Sequence, residues 1–402
     1  MSEAIAKEPV RAADPAAEKA SLKEFFVVSA DCHVNEPNDV WAARVDKQFQ
    51  ERLPRIKVDE KGRKWFVAEG IRPSRIREAP RDESVSVNEF VEKSERPHLD
   101  RTRGAMFQNQ GGINEDRYRD MDYDGIDCEI VFPNKGLVNW HSPDPALNTA
   151  MCHAWNVWAY ETFGGHSRSF PAACVAPADV EAAVAEIEWA AKHGFKSIML
   201  PPLMKEGKGY NLPEFDPIWA AACDANMPIL FHAGTGKDPR SATGNGGALI
   251  NYVVHAMNTV VQPTVELCVS GVFDRFPKLK FATIEAGAGW VPYTLHAMDF
   301  GNYAHAFWVM PKLKYKPSEY YHMHGHSSFE TDPIGVELRH RMGVDNLLWG
   351  NDYPHIEGCW PHSEEQLKVW GKGLTKQEIA KIIGLNSARL FNIDVPKQFA
   401  IA

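Results

Sequence analysis

Leu347-Leu348-Trp349-Gly350-Asn351-Asp352-Tyr353-Pro354-His355 reads as a short buried strand that runs into a turn carrying an acid. The apolar run after Asn346 is bounded by turn formers, as expected of a strand covered on both faces. An aspartate just past such a strand sits at a carboxyl end, where α/β barrels keep their chemistry. Two other stretches repeat the arrangement. Phe25-Phe26-Val27-Val28-Ser29-Ala30 leads into Asp31-Cys32-His33, and Pro228-Ile229-Leu230-Phe231 leads into His232. Three strands thus each end in a side chain able to hold a metal ion.

Working outward, the remaining chain alternates short apolar runs with helical patterns. Strands are expected at 25–30, 128–132, 172–175, 197–200, 229–232, 279–284, 327–330 and 347–349. Helices are expected at 146–163, 178–193, 213–226, 255–275, 289–302 and 333–342. Such alternation means βαβ units and a parallel sheet, and eight strands point to a closed (β/α)8 barrel. A doubly wound open sheet is the alternative, but no Gly-x-Gly-x-x-Gly follows any strand. Residues 34–118 interrupt the spacing as a long Arg-, Glu- and Pro-rich insertion, expected to be a lid over the carboxyl-end face or a dimerisation element. Residues 1–22, rich in Ala, Glu and Lys, read as a disordered tail, leaving 23–402 as one barrel domain. The glycines between Gly234 and Gly247 suggest a loop over the site, and Thr375-Lys376-Gln377-Glu378 suggests a capping box.

The balance of 402 residues, 44% apolar and 24% charged, is that of a globular chain. A net charge of -9 without a basic cluster argues against nucleic acid. No apolar run approaches the ~20 residues of a membrane span, and no apolar h-region opens the chain. Seven cysteines without tight spacing suit reduced thiols and a cytoplasmic location. No Gly-x-Ser-x-Gly occurs, which disfavours a serine nucleophile.

Asp31 and His33, two apart on an extended backbone, point to the same side and can touch one ion, while Cys32 points away and packs. With His232 and Asp352 at other strand ends, the set offers two imidazoles and two carboxylates, which suit a divalent metal such as zinc, manganese or iron.

Asp31-Cys32-His33-Val34-Asn35-Glu36-Pro37, Phe231-His232-Ala233-Gly234 and Gly350-Asn351-Asp352-Tyr353-Pro354-His355 together resemble the amidohydrolase-2 group of the metal-dependent amidohydrolase superfamily, from about Phe25 to about Ile393. That group includes aminocarboxymuconate semialdehyde and resorcylate decarboxylases. The resemblance implies a distorted (β/α)8 barrel holding one divalent metal, often zinc or manganese, in a homodimer. Asp31 and His33 would be ligands from the first strand, His232 from the fifth, and Asp352 a ligand or water activator from the eighth. No lysine ends the fourth strand at Leu200-Pro201-Pro202, so a carbamylated-lysine binuclear site is not expected.

One departure from the family stands out. Its decarboxylases carry a histidine in an Ala-His-Gly-Gly-Gly-like motif after the sixth strand, where this chain reads Thr283-Ile284-Glu285-Ala286-Gly287-Ala288-Gly289-Trp290. Glu285 is therefore expected near the metal as a base, a further ligand or a partner of one. Glu36, Asn134 and His326 are candidate supports or substrate contacts. Glu36 is equally suited to bind backbone amides, and His326, with His322 and His324, to be packed. His355 is a candidate proton-transfer group, with hydrogen bonding at a helix start as the alternative. These residues lead to a metal-dependent hydrolase or lyase acting on a small organic acid, ester or ring-cleavage product. Asp352 would take a proton from water, and Glu285 or His355 would handle a second. If Glu285 is a ligand, a non-haem di-iron oxygenase is the competing expectation.

Overall fold

The computed structural model of the chain describes residues 21–76, 115–204, 208–236, 242–355 and 358–399. Its strands are β1 Val28–Val34, β2 Arg55–Val58, β3 Lys64–Val67, β4 Ser74–Arg75, β5 Cys128–Pro133, β6 Ser169–Pro171, β7 Ala173–Cys174, β8 Ile198–Leu200, β9 Ile229–His232, β10 Phe281–Ile284, β11 Gly325–Phe329 and β12 Leu347–Trp349. Strands β2, β3 and β4 form a small antiparallel sheet in the excursion that follows β1. The others pair in parallel and in chain order, as β1-β5-β6 and as β7 through β12. Helices Pro145–Phe163, Val180–Lys192, Asp216–Asp224, Val261–Val269 and Val291–Ala304 fall between them. This is a distorted (β/α)8 barrel.

The distortion lies in two places. β6 and β7 are halves of one strand position that changes partner at Ala172. The Ala172 N–H donates to Val131 O on β5, and the Ala173 N–H donates to Ser197 O beside β8. Between β12 and β1 the connection is one parallel bridge, Cys32 with Tyr353, helped by Asp352 N–H donating to Asp31 O at 2.9 Å and Asn351 N–H to Ser29 Oγ at 3.0 Å. Gly350 is required at this seam, because a Cβ there would lie 2.7 Å from Asp31 Cβ.

The first strand starts later and runs further than the apolar run suggests. Its pairing with β5 continues to Val34 opposite Pro133, so Asp31 and His33 lie within β1 rather than after it. Ser29 faces Glu129 and Cys32 faces Val131, so β1 carries one extra residue between them. Such a bulge re-aims the side chains around it. The helix expected at 255–275 is three pieces, a 3-10 turn Met257–Val260 and helices Val261–Val269 and Val272–Arg275, the last preceded by Gly271 at φ 73°, with a separate helix Gly247–His255 ahead of them. Residues of β1, β5 and β8 to β12 are buried throughout, which makes the barrel interior the core. The tail at 1–20, and the part of the insertion at 77–114, lie outside the described residues. The Thr375 capping box forms: Glu378 N–H donates to Thr375 Oγ1, and Thr375 N–H to Glu378 Oε2.

Candidate metal centre

One donor atom from each of Asp31, His33, His232 and Glu285 lies within 4.8 Å of every other, and a second such group joins His33, Glu285, Asp352 and His355. The strands bring them together. Asp31 and His33 come from the second half of β1, and His232 is the last residue of β9. Glu285 follows β10 directly, and Asp352 stands in the turn after β12. All four named strand positions open on the carboxyl-end face of the barrel.

Hydrogen bonds fix the two imidazoles. His33 Nδ1 lies 2.8 Å from Pro133 O, and His232 Nδ1 lies 2.7 Å from Ala233 O. A carbonyl only accepts, so each Nδ1 carries the hydrogen and each neutral ring turns a lone pair outward at Nε2. Those two Nε2 atoms are 3.2 Å apart. Two lone pairs do not face each other at that distance without a positive charge between them, which is either a proton or a cation. The same region holds Asp31 Oδ1, 3.5 Å from His33 Nε2 and 3.4 Å from His232 Nε2, and Glu285 Oε2, 3.7 and 3.3 Å from them. Both Asp31 carboxylate oxygens are fully buried and accept no hydrogen bond from the described residues. A buried carboxylate without a donor is costly unless it meets a charge. The donor set therefore fits a divalent cation.

The electrostatics agree. Burial lowers the pKa of His33, but Asp31 and Glu285 outweigh it and bring it up to about 10. Burial would raise the Asp31 carboxyl, but His232 and His33 hold it well below the usual carboxylate range. His355 behaves oppositely: burial and the adjacent His33 push it down to about 2, so it is a neutral imidazole. Its ring lies on His33 with centroids 4.0 Å apart, and its Nδ1 is 2.9 Å from Asp352 Oδ1. The side chains of Asp31, His33, His232 and Asp352 are fully buried, whereas Glu285 is 14% and His355 16% exposed. Of these six side chains, Glu285 and His355 are the ones that reach solvent.

Glu285 and Asp352 both adopt left-handed backbone, at φ 58° and 50°. This is uncommon for residues other than Gly, Asn and Asp, so at Glu285 it costs roughly 1 kcal/mol or more and neighbours must hold it, while Asp352 tolerates it better. Glu285 N–H donates to Ser328 Oγ at 3.1 Å. Asp332, unnoticed in the sequence, ties down the rest of that turn: Ala288 and Gly289 N–H both donate to its Oδ2 at 2.7 Å. Arg117, likewise unnoticed, donates to His33 O at 3.0 Å and makes a two-pronged buried ion pair with Glu129. Nothing in the sequence links residues 117 and 33, since only the fold brings them together. Asn351 and Ser29 were within quoted motifs, yet their role in the seam depends on tertiary contacts.

The remaining candidates fall outside the cluster. Glu36 is a backbone hub: N–H groups of Asn134, Lys135 and Gly136 and the Trp155 indole all donate to its carboxylate. Asn134 sits at the end of β5, with its side-chain amide donating to Asn35 Oδ1. His326 is at the opposite end of the barrel. It is the second residue of β11, pairs with Ala282 and has Nδ1 3.3 Å from Phe281 O at the start of β10, so it is packing and not a contact of the site. The alternation of His322, His324 and His326 belongs to a helix end followed by a strand start, with the His324 ring stacked on Phe273 at 4.2 Å. Cys32 points away, its thiol donating to Asn351 Oδ1.

Residues 30–393 match the amidohydrolase family profile, and the chain belongs to that family of enzymes. It is 23% identical over 258 residues to a gamma-resorcylate decarboxylase from Polaromonas, covering 60% of this chain and 77% of that one. An amidohydrolase from Mycobacterium avium subsp. paratuberculosis superposes with a TM-score of 0.72 at 24% identity, covering 92% and 99% of the two chains. A 5-carboxyvanillate decarboxylase from Novosphingobium aromaticivorans, complexed with manganese and 4-hydroxy-3-methoxy-5-nitrobenzoic acid, superposes at 0.65 with 18% identity, covering 92% and 97%.

Proposed function

We propose that this enzyme is a metal-dependent hydrolase or lyase acting on a small organic acid or ring-cleavage product, and that it works as a homodimer. The observation that carries this reading is the pair of Nε2 atoms of His33 and His232 facing each other at 3.2 Å beside the undonated carboxylate of Asp31. Asp31, His33, His232 and Glu285 would hold one divalent ion, with Asp352 next in line. When bound, such an ion lowers the pKa of water toward about 7 and polarises a substrate carbonyl or carboxylate. Asp352, buried and 3.5 Å from His33 Nε2, serves as the proton acceptor. His355, neutral and 2.9 Å from Asp352 Oδ1, passes that proton between the buried carboxylate and the substrate side. Glu285 is the carboxylate at the mouth and sets the charge that a substrate meets. The decarboxylases among the relatives support an acidic, carboxylate-bearing substrate, and the glutamate in place of their histidine supports a reaction that differs in its proton transfer.

The di-iron alternative needs two complete ligand sets. The two groups of donors share His33 and Glu285, so together they offer six side chains rather than eight. His33 Nδ1 is engaged with Pro133 O, and one remaining nitrogen binds one ion, which supports a mononuclear site. Elemental analysis of protein purified without added metal tests both readings. About one zinc or manganese per chain, together with turnover of aryl carboxylates or lactones in a substrate panel, is expected. Two irons per chain with oxygen consumption would replace this reading by the oxygenase, and protein that binds no divalent ion would end both.

A further inference from the structure

The helix Val291–Ala304 is apolar on two opposite sides. Val291, Thr294, Leu295 and Met298 face the core. On the far side Tyr293, Ala297, Phe300, Ala304 and Phe307 recur at intervals of four and three, the spacing of a helix seam that packs against another helix. The helix ends at Ala304, where the His305 N–H caps Gly301 O, and a turn in which Val309 N–H donates to His305 O carries Phe307 and Trp308 onward from the same end. Tyr293, Phe300, Tyr303, Phe307, Trp308 and Met310 are 63–93% exposed. Across residues 291–311 the only Asp, Glu, Lys or Arg is Asp299, in a chain that is 24% charged. Asp299 itself is engaged, accepting from the Ser318 N–H and hydroxyl. A helix apolar all round is a buried helix, and aromatic enrichment with charge depletion is the composition of an interface core.

We propose that this face is the contact between two copies of the chain, packed about a two-fold axis through Phe300. Three features select a second copy as the occupant. The first is area. Six such side chains of about 200 Å² each, exposed to this degree, present about 900 Å², against roughly 800 Å² per partner in a standard interface. The second is self-complementary spacing. Phe300 is the midpoint of the stripe from Tyr293 to Phe307, so antiparallel packing brings Phe300 against its own copy and Tyr293 against the copy's Phe307. The third is shape. A groove of about 450 Å³ runs beside the first half of the helix, lined by Pro292, Tyr293, His296, Asp299 and Arg341 among others. The same antiparallel register delivers the copy's Trp308 to that groove, where the Arg341 guanidinium can stack on the indole. This deepens the homodimer part of the functional reading and is independent of the chemistry at the metal centre.

A charge-swap experiment tests it. Wild type, Phe300→Glu and Phe300→Lys are compared by analytical ultracentrifugation across the micromolar range, with circular dichroism to establish that each is folded. The wild type should sediment at twice the chain mass. Each variant should be monomeric, its self-association weakened ~100-fold or more by like charges meeting on the axis. An equimolar mixture of the two variants should regain the dimer, which only contact of residue 300 with its own copy explains. A wild type that is monomeric overturns both the homodimer and this face, and if that monomer floats with phosphatidylglycerol vesicles the face is a membrane contact instead. Variants that remain dimeric leave the homodimer standing and overturn this face.

Discussion

The candidate metal centre draws on two kinds of backbone. Asp31, His33 and His232 sit within strands, Asp31 at the bulge of β1, fully buried and with both imidazoles locked by carbonyls. Glu285 and Asp352 sit just past strand ends in left-handed turns, held by Ser328, Asp332 and the carbonyl of Asp31. The strand-borne half keeps ordinary negative-φ backbone, and its cost is the burial of the Asp31 carboxylate, which a cation would offset. The turn-borne half is strained, and strain persists only where the surroundings over-determine it. On the proposed reading, the rigid half supplies three of the four ion donors, and the strained half adds Glu285 to the set and carries the adjustable, substrate-facing chemistry.

The largest effect should come from the rigid half. His33→Ala or His232→Ala should reduce bound divalent ion from about one per chain to near zero by elemental analysis, since either change removes one of only two nitrogen donors. Retention of a full ion in either variant would break the division of labour. Next in size is the strained half. Glu285→Gln should weaken ion affinity about 10–100-fold, the scale of losing a supporting carboxylate, and reduce turnover further than that. Glu285→Gly should do the same while raising stability by about 1 kcal/mol in urea unfolding, because glycine relieves the left-handed conformation. A destabilised Gly variant would show that the turn is not strained.

Loading the ion should also release a proton. With His33 held up to about 10, the unloaded site keeps a proton between the imidazoles at neutral pH, and the cation displaces it. The sign follows: affinity rises with pH below about 10, and calorimetry in buffers of different ionisation enthalpy should count about one proton at pH 7–8. No proton released would mean that His33 is already neutral. A smaller and purely structural effect is expected at Glu36→Ala. Losing an acceptor for three backbone amides and an indole should cost about 2–3 kcal/mol with ion content unchanged. Smallest of all, His326→Gln at the far end of β11 should leave ion content and turnover as they are.

The strand-borne half was legible in the sequence for the reason that makes it rigid. Asp31, His33 and His232 stand against apolar runs, so a local pattern announces both the strand and the polar exception at its end. The barrel itself followed from the alternation of such runs. Glu285 was legible only as a departure from the family's histidine, and its left-handed turn was not, because the Asp332 carboxylate that shapes it is 47 residues away along the chain. His326 misled because alternate histidines look like a ligand stripe in sequence. A helix ends between them, and the strand that follows places His326 at its wrong end. Arg117 left no trace at all, since its partners Glu129 and the His33 carbonyl are neighbours only once β1 and β5 have paired.

The seam between β12 and β1 has a consequence for how long the molecule lasts. Every other neighbouring pair of barrel strands is laced by a ladder, but here a single bridge, with two backbone hydrogen bonds and a few from side chains, closes the cylinder. Asp31 and His33 stand on one lip, and Asp352 stands on the other, 3.5 Å from His33 Nε2. An ion held by Asp31 and His33 on one lip, with Asp352 beside it on the other, would brace the weakest joint, and its binding free energy would add ~2.7 kcal/mol of stability at a free concentration 100 times the Kd. Metal supply would then set the protein's resistance to unfolding as well as its turnover, a difference that urea unfolding with and without the ion would read.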